Sequence, residues 1–434
     1  GNFEGIGIQF RIESDSITVI QTIGGGPSEK VGLLAGDRIV MVDDSLIAGV
    51  DITNKDAIGM LKGPRGTEVD IKVFRRGVNG LLDFTITRDV IPNFSVDVAY
   101  MFSDTIGYIK VSRFSATTYE EFLAAMNNLI DQGMKSLILD LRGNTGGYLK
   151  AATSMADEFL AADKLIVYTE GNNRPRSYAY ASQKGHFEDQ EVVVLINEGS
   201  ASASEIVAGA IQDNDRGMII GRRSFGKGLV QEQLSMPDGS AVRLTIARYY
   251  TPTGRCIQRP YENGKDDYYD DFYQRFNNGE IQSADSLHFN DSLKYITPEG
   301  RTVYGGGGIM PDIYVPYDAD DYPEYYNKLL DRGLIFRFAF RYTDTHRQSL
   351  SDYEKFEDFE KYFTINKGMF LDFIQYAEEK GVARDKKGIR ESEQRIKFLM
   401  KAFIARNIFD DDGFYPIYHN IDETFQAALD YLGQ

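Results

Sequence analysis

Histidine and cysteine are both scarce in this chain, and their scarcity narrows its chemistry. Only four histidines occur, His186, His288, His346 and His419, and none stands beside a serine-bearing turn. The single cysteine, Cys256, excludes an intramolecular disulfide framework and a cysteine-ligated zinc site. With no histidine nearby to generate its thiolate, Cys256 reads as a small packed residue. Long apolar runs are missing too: the most apolar helical stretch, 334–340, is short and interrupted by Arg337, so nothing in the pattern spans a bilayer. Clustered positive charge is absent, and a net charge of −17 argues against binding nucleic acid, which needs Lys and Arg to neutralise phosphates. The acidic run 265–271 reads as a solvated surface loop. No signal peptide is visible, and Gly1 opens inside what reads as a structured loop, the pattern of a chain trimmed of an upstream segment. No metal or cofactor is called for.

At 434 residues the length calls for two or three domains, each burying its own core. Residues 1–92 alternate with period two between glycine turns (8–12, 17–22, 37–42, 68–75 and 83–88), with one helix at 54–61, and predict a small, mainly β module. Residues 93–318 alternate apolar strands (136–141, 192–196, 218–220) with amphipathic helices (118–132, 148–160, 203–213), followed by a hairpin through Pro237-Asp238-Gly239. That alternation predicts an α/β core. Residues 319–434 read as an appended helical domain, with Phe, Tyr and Leu at helical spacing. Core packing is the default use of those aromatics, and a homo-oligomer interface is the minority alternative.

Two glycines flank Lys227 in Ser224-Phe-Gly-Lys-Gly-Leu-Val-Gln231, downstream of the serine-rich Asn197-Glu-Gly-Ser-Ala-Ser-Ala-Ser-Glu205. A neutral lysine can deprotonate a serine hydroxyl as it attacks a carbonyl, so a Ser/Lys hydrolase is the reading where histidine is not at hand. Bringing a lysine from about 10.4 to near neutrality requires roughly 4 to 5 kcal/mol of differential destabilisation of its ammonium form. Phe225 and Leu229 are candidates for the apolar wall that would supply it. Gln231, four residues on in a strand-like run, would face the same side and orient the amine. Four serines compete as nucleophile: Ser200, Ser202, Ser204 and Ser224. Ser202 opens a helix, where the next N–H, on Ala203, faces a developing oxyanion. The commonplace alternative, favoured by local pattern alone, is a capping box, Ser202-Ala-Ser-Glu205. Ser224-Phe-Gly-Lys227 also matches a Ser-x-x-Lys spacing, but Gly226 and the following strand disfavour the helix that spacing needs. A second oxyanion donor has a source in the strand-to-helix loop Asp140-Leu-Arg-Gly-Asn-Thr-Gly-Gly147, for which an ordinary tight turn is the alternative.

These three segments, in this order and with the 25-residue step from Ser202 to Lys227, resemble the C-terminal processing, or tail-specific, peptidases of bacteria and plastids. The resemblance implies that Ser202 is the nucleophile, Lys227 the general base and Gln231 the residue orienting it. It also implies Ala203 and Gly147 as oxyanion donors, with Gly146 the neighbouring alternative. The core would then be a crotonase-like α/β Ser/Lys protease. Gly5-Ile-Gly-Ile8 resembles the carboxylate-binding loop of a PDZ domain, and Pro27 to Asp37 its helix-turn-strand signature. This makes Gly5, Ile6, Gly7 and Ile8 the candidate peptide-binding residues. Thr251-Pro-Thr-Gly-Arg255 and Gly305 to Asp312 resemble later parts of the same core. The resemblance covers about residues 3–318. It departs from the family pattern in the segment usual before the PDZ module and in the acidic insertion at 261–295.

The activity implied by the resemblance is that of a serine endopeptidase that takes protein or peptide substrates by accessible C-terminal tails, exported to the periplasm or cell envelope, without a cofactor and with any adaptor unnamed. Two rivals remain. One is a catalytically silent PDZ scaffold that holds tails without cutting them. The other is an acyl-CoA hydratase or isomerase of the crotonase class, which would leave the Ser/Lys pair and the PDZ module unexplained.

Overall fold

A computed structural model describes residues 3–433 except 14, 183–184, 260–263, 265–269, 271–272, 276, 284–285, 287–290 and 318–321. The acidic run 265–271 lies almost wholly outside the described residues, as do His288 and the boundary expected at 318–319. Contacts divide the chain into two units. One holds residues 1–93 and 322–420, the other 94–321 and 421–434. The helical region expected as one appended domain is therefore shared out, with its last stretch belonging to the α/β core.

In the first unit a sheet of order β2-β3-β4-β6-β7 joins Ile8–Ile12, Ile17–Thr22, Arg38–Val42, Glu68–Phe74 and Leu82–Thr87, with β5 (Ser45–Leu46) paired to β4. β1 (Phe3–Gly5) pairs separately with β8 (Asp89–Ile91). Period-two patterning places Val69, Ile71 and Val73 of β6 inward, against Ile17, Val19, Ile39 and Ile86. Two helices, α1 (Pro27–Lys30) and α2 (Asn54–Leu61), complete the module. α2 starts where Thr53 and Asp56 form a capping box, each side chain taking the other's backbone N–H at 3.3 and 3.1 Å. The helices of 324–418 pack their aromatics on one another, as with Phe338 and Phe373 at 5.4 Å between ring centres, so core packing is what the aromatic spacing encodes. The long segment Lys386–Tyr418 breaks at Asp410 (φ 55°, ψ −146°), whose carboxylate accepts from Gln21 Nε2 of β3 at 2.7 Å.

The second unit is built on a six-stranded sheet. Its order is Ile313–Tyr314, β15 (Met218–Gly221), β14 (Glu191–Ile196), β11 (Ser136–Asp140), β10 (Ile106–Val111) and β9 (Val96–Met101). All neighbours are parallel except β9, which runs antiparallel at the edge. β11 and β14 read as continuous apolar runs because helices cover both faces of a parallel sheet. The helices α3 (Thr118–Asp131), α4 (Leu149–Asp157) and α5 (Ala203–Asp213) pack together on one face, and the terminal helix Glu423–Tyr431 lies against β14 and β15 on the other. A second, antiparallel sheet of order β13-β12-β17-β16 carries Arg174–Tyr180, Leu165–Gly171, Ala241–Tyr250 and Leu229–Ser235. Pro237-Asp238-Gly239 closes the β16–β17 hairpin, where Met236 N–H donates to Ser240 O at 2.7 Å.

The topology also positions the site. Adjacent parallel strands β11 and β14 end side by side, so the loops 141–148 and 197–202 that follow them emerge together at the carboxyl edge of the sheet. Each loop leads into a helix, α4 and α5.

Candidate active site

Of the four competing serines, three have their hydroxyls committed to structure. Ser200 Oγ donates to Leu141 O at 2.8 Å and accepts Asn197 N–H at 3.0 Å. Ser204 Oγ donates to Asn144 O at 2.8 Å. Ser224 Oγ donates to a Glu205 carboxylate oxygen at 2.6 Å and accepts Ile309 N–H at 2.7 Å. Ser202 differs from all three. It sits at φ 57°, ψ −110°, a region costing a non-glycine residue on the order of 1–3 kcal/mol, and immediately precedes α5. Its capping box with Glu205 is present, as local pattern suggested, and Glu205 accepts Ser202 N–H at 2.7 Å. A serine oxygen in such a box accepts, and among the described residues the Ser202 hydroxyl donates to nothing.

Glu205 does more than cap. It is fully buried, and its two oxygens collect Ser202 N–H, Ser224 O–H, Gly226 N–H at 2.7 Å and Lys227 N–H at 2.9 Å. Burial raises its pKa, against the pull of those four donors in the other direction. One carboxylate thus fastens the lysine loop to the serine turn. Tyr249 of β17, also buried, makes a second fastening: its hydroxyl meets Ser202 O at 3.0 Å and Lys227 O. Gly226 (φ 87°) lets the chain turn tightly ahead of Lys227, packed against Arg259 Cγ, and the Arg259 guanidinium lies 4.3 Å from the centre of the Phe225 ring. Sequence reasoning saw Glu205 only as a helix cap and did not single out Tyr249. The capping box was the one local signal for the former.

The loop after β11 lies against this turn. Asn144 is buried and organises it: its side-chain oxygen accepts Gly146 N–H at 2.9 Å, and its amide donates to Val111 O at 2.9 Å. Its backbone oxygen accepts Ala201 N–H at 2.9 Å as well as the Ser204 hydroxyl. Gly146 N–H is therefore engaged, whereas the N–H groups of Gly147 and Ala203 have no acceptor among the described residues. Gly146 (φ 95°) approaches so closely that a Cβ there would stand 2.7 Å from Ser202 Cβ and 2.8 Å from Ala203 N. Gly147 (φ 151°) runs against the Phe114 carbonyl, leaving no room for a side chain.

Deeper in the same loop, Asp140 at the end of β11 is fully buried and receives Arg142, Lys110 at 3.5 Å and the Tyr108 hydroxyl at 2.7 Å. Burial alone would raise Asp140, but Arg142 and Lys110 outweigh it and hold the carboxyl far below its ordinary range. The far end of α5 is secured by a sealed pair. Arg255 donates to Asp213 at 2.6 Å and to Gln212 Oε1 at 2.6 Å, which gives Thr251 to Arg255 a structural task.

Sequence comparison adds the family. Residues 105–264 match the model of peptidase family S41, residues 5–86 that of a PDZ domain, and residues 325–410 that of a family of unknown function. The chain carries a peptidase family S41 domain. It is 40% identical over 263 residues to a carboxy-terminal-processing protease of Bartonella bacilliformis, a match covering 59% of each chain. The carboxy-terminal processing protease CtpA of Bacillus subtilis is 36% identical over 260 residues, covering 59% of this chain and 54% of that one. A solved structure of a photosystem II D1 C-terminal processing protease aligns over 74% of both chains at 26% identity and a TM-score of 0.38. The chain thus matches between about half and three fifths of the length of these two curated relatives.

Within the S41 domain, Lys227 and Gln231 line one cleft of about 1510 Å3, together with Thr145, Ala201, Phe225 and Leu229. Lys227 is half-buried, and no ion pair holds its amine among the described residues. Gln231 is exposed on β16, just past a register shift between Val230 and Gln231. In the PDZ domain, Gly5 ends β1 and Ile8 begins β2, the edge strand of its sheet. Between them Ile6 O accepts Ser28 N–H at 3.0 Å and Gly7 O accepts Ile23 N–H at 2.9 Å. The N–H groups of Ile6 and Gly7 have no acceptor among the described residues. Residues 5–8 thus present two free donors ahead of an open strand edge. No group of His, Cys, Asp or Glu suited to a metal ion occurs among the described residues.

Proposed function

We propose that the chain is a serine endopeptidase that binds protein C-terminal tails through its PDZ domain and cleaves them by an acyl-enzyme on Ser202. One observation carries the reading: of the four candidate serines, only Ser202 has a hydroxyl that donates to no acceptor among the described residues. It sits in a strained turn beside the free N–H of Ala203. Lys227 takes the proton of Ser202 Oγ as that oxygen attacks the scissile carbonyl, and Gln231 orients the amine. The resulting oxyanion is received by the N–H groups of Ala203 and Gly147, aided by the N-terminal end of α5. Lys227 then delivers the proton to the leaving amine. Water attacks the ester with Lys227 again as base and restores Ser202. Gly146 serves as the close-packed neighbour and not as a donor, since Asn144 holds its N–H.

The tail's carboxylate is taken by the N–H groups of Ile6 and Gly7, with the peptide adding as a strand to β2. Export to the cell envelope and self-association through the helical region belong to the same proposal. The first rests on the family resemblance and the second on aromatics there that stay exposed, such as Tyr362.

The test incubates the purified chain and its Ser202→Ala and Lys227→Ala variants with an unfolded protein ending in small apolar residues, following fragments by mass spectrometry. Cleavage by the parent alone supports the reading. Equal cleavage by all three removes these residues from the chemistry. Binding without cleavage by all three supports the scaffold.

A further inference from the structure

We propose that Asp422, at the start of the terminal helix Glu423–Tyr431, is a positioning residue of the oxyanion loop, acting through Arg142; the inference rests on the peptidase reading above. Asp422 lies far beyond the segment that matches the S41 model. Its two oxygens nevertheless accept Arg142 Nη1 at 2.8 Å and Nη2 at 2.6 Å, a bidentate pair. The same guanidinium donates to Asp140 through Nη2 at 2.7 Å and Nε at 3.1 Å. Arg142 is therefore held flat between two carboxylates, one at the end of β11 and one brought in by the end of the chain.

A second path closes the circuit. Asp422 accepts Phe425 N–H at 3.2 Å as the helix cap, and Phe425 is fully buried with its ring 5.7 Å from that of Tyr108 and 4.9 Å from that of Phe102. Tyr108 returns to Asp140 through its hydroxyl. Asp140 and Asp422 set two carboxylates against the Arg142 guanidinium, with the Lys110 amine 3.5 Å from Asp140. Removing the Asp422 charge loosens one side of Arg142.

The link to chemistry is short. The residue after Arg142 is Gly143 (φ 73°), whose N–H donates to Asn197 Oδ1 at 2.8 Å, followed by Asn144, which fixes Gly146 against the serine turn. Gly147 N–H is aimed by that chain of contacts. A donor displaced by a fraction of an ångström weakens stabilisation of the oxyanion while leaving substrate contacts in the cleft intact. The signature is a fall in kcat with little change in KM.

The experiment uses the full chain with Asp422→Asn, which keeps the helix cap and removes the charge. The active fraction is counted with a serine-directed fluorophosphonate. The expected result is a kcat per reactive serine lower by about tenfold with KM within twofold of the parent, beside a lowered thermal midpoint that the count of reactive serines separates from turnover. An unchanged kcat per reactive serine overturns the inference. If Asp422→Asn does not fold, Asp422→Glu carries the test. It keeps charge and cap but moves the carboxylate by one methylene, so kcat should fall about threefold, and no fall overturns the inference. Ser202→Ala is run alongside. Parent-like cleavage there overturns the active site and this inference with it, whereas an inert Ser202→Ala beside an Asp422→Asn with undiminished turnover overturns the positioning role alone.

Discussion

In the unit formed by residues 94–321 and 421–434, the ion pairs behind the site are sealed, while that of Arg174 with Glu232 at the cleft is open. Arg255 and Asp213 are both fully buried, and Arg275 and Glu280 nearly so. In the unit formed by 1–93 and 322–420, the ties between the PDZ domain and the helices leave a partner open to water. Asp344 is buried, yet Arg76, which donates to it at 3.0 Å, is 47% exposed. Sealed pairs carry a large desolvation cost and tolerate one geometry, so they suit a site where N–H groups must stand within a fraction of an ångström. Open pairs are worth little each and tolerate displacement. The contrast suggests that the S41 domain uses its buried charge for precision, while the PDZ unit only needs to stay assembled.

The contrast is cut most deeply at Ser202. Ser202→Ala should abolish cleavage with no loss of PDZ-dependent peptide binding, measured by fluorescence anisotropy of a labelled tail peptide. Gly146→Ala comes next: its Cβ would press on Ser202 Cβ and Ala203 N. Turnover should fall by about 100-fold or more through the distorted oxyanion donors, on the order of magnitude of losing one such donor, as steady-state kinetics would show. Glu205→Gln places an amide where a carboxylate now receives N–H groups from both loops, so activity should drop by roughly 100-fold and stability by about 2 kcal/mol, read from urea midpoints.

Asp213→Ala should cost about 3–5 kcal/mol, because it strands Arg255 inside the protein, whereas Arg76→Ala should cost no more than about 1 kcal/mol. Equal losses from these two changes would erase the distinction between the units. The smallest effect concerns acid. Asp140 has a depressed pKa, so its stabilising contribution is complete above the ordinary carboxylate value near 3.9 and is lost as pH falls toward its folded value. Asp140→Asn should therefore show a shallower loss of stability on acidification below about pH 4 than the parent, whatever its stability at neutrality.

Much of this architecture was legible along the chain. β11 and β14 stood out as continuous apolar runs, α2 as one short helix at 54–61, and α5 within its own boundaries at 203–213. Less legible was the antiparallel sheet of β12, β13, β16 and β17. β13 reads Arg-Pro-Arg-Ser-Tyr-Ala-Tyr and is largely exposed, so it offers no buried stripe to detect. The residues near the site were partly legible. Ser202, Lys227 and the glycines of 140–147 stood out because their types and order are unusual. The choice among Ser200, Ser202, Ser204 and Ser224 did not, since a hydroxyl's availability depends on acceptors such as Leu141 O and Asn144 O, some 60 residues away.

Periodicity, glycine placement and the order of three motifs are local properties, and they were enough to point to the β module, the α/β core and the three segments that carry the site. It took the folded chain to show which serine's hydroxyl donates to no acceptor among the described residues, that Glu205 binds two loops into one, and that Asp422 reaches Arg142 across 280 residues of chain. Those are facts about which polar groups are buried together. Burial is a sum over distant neighbours, and no window of sequence contains it.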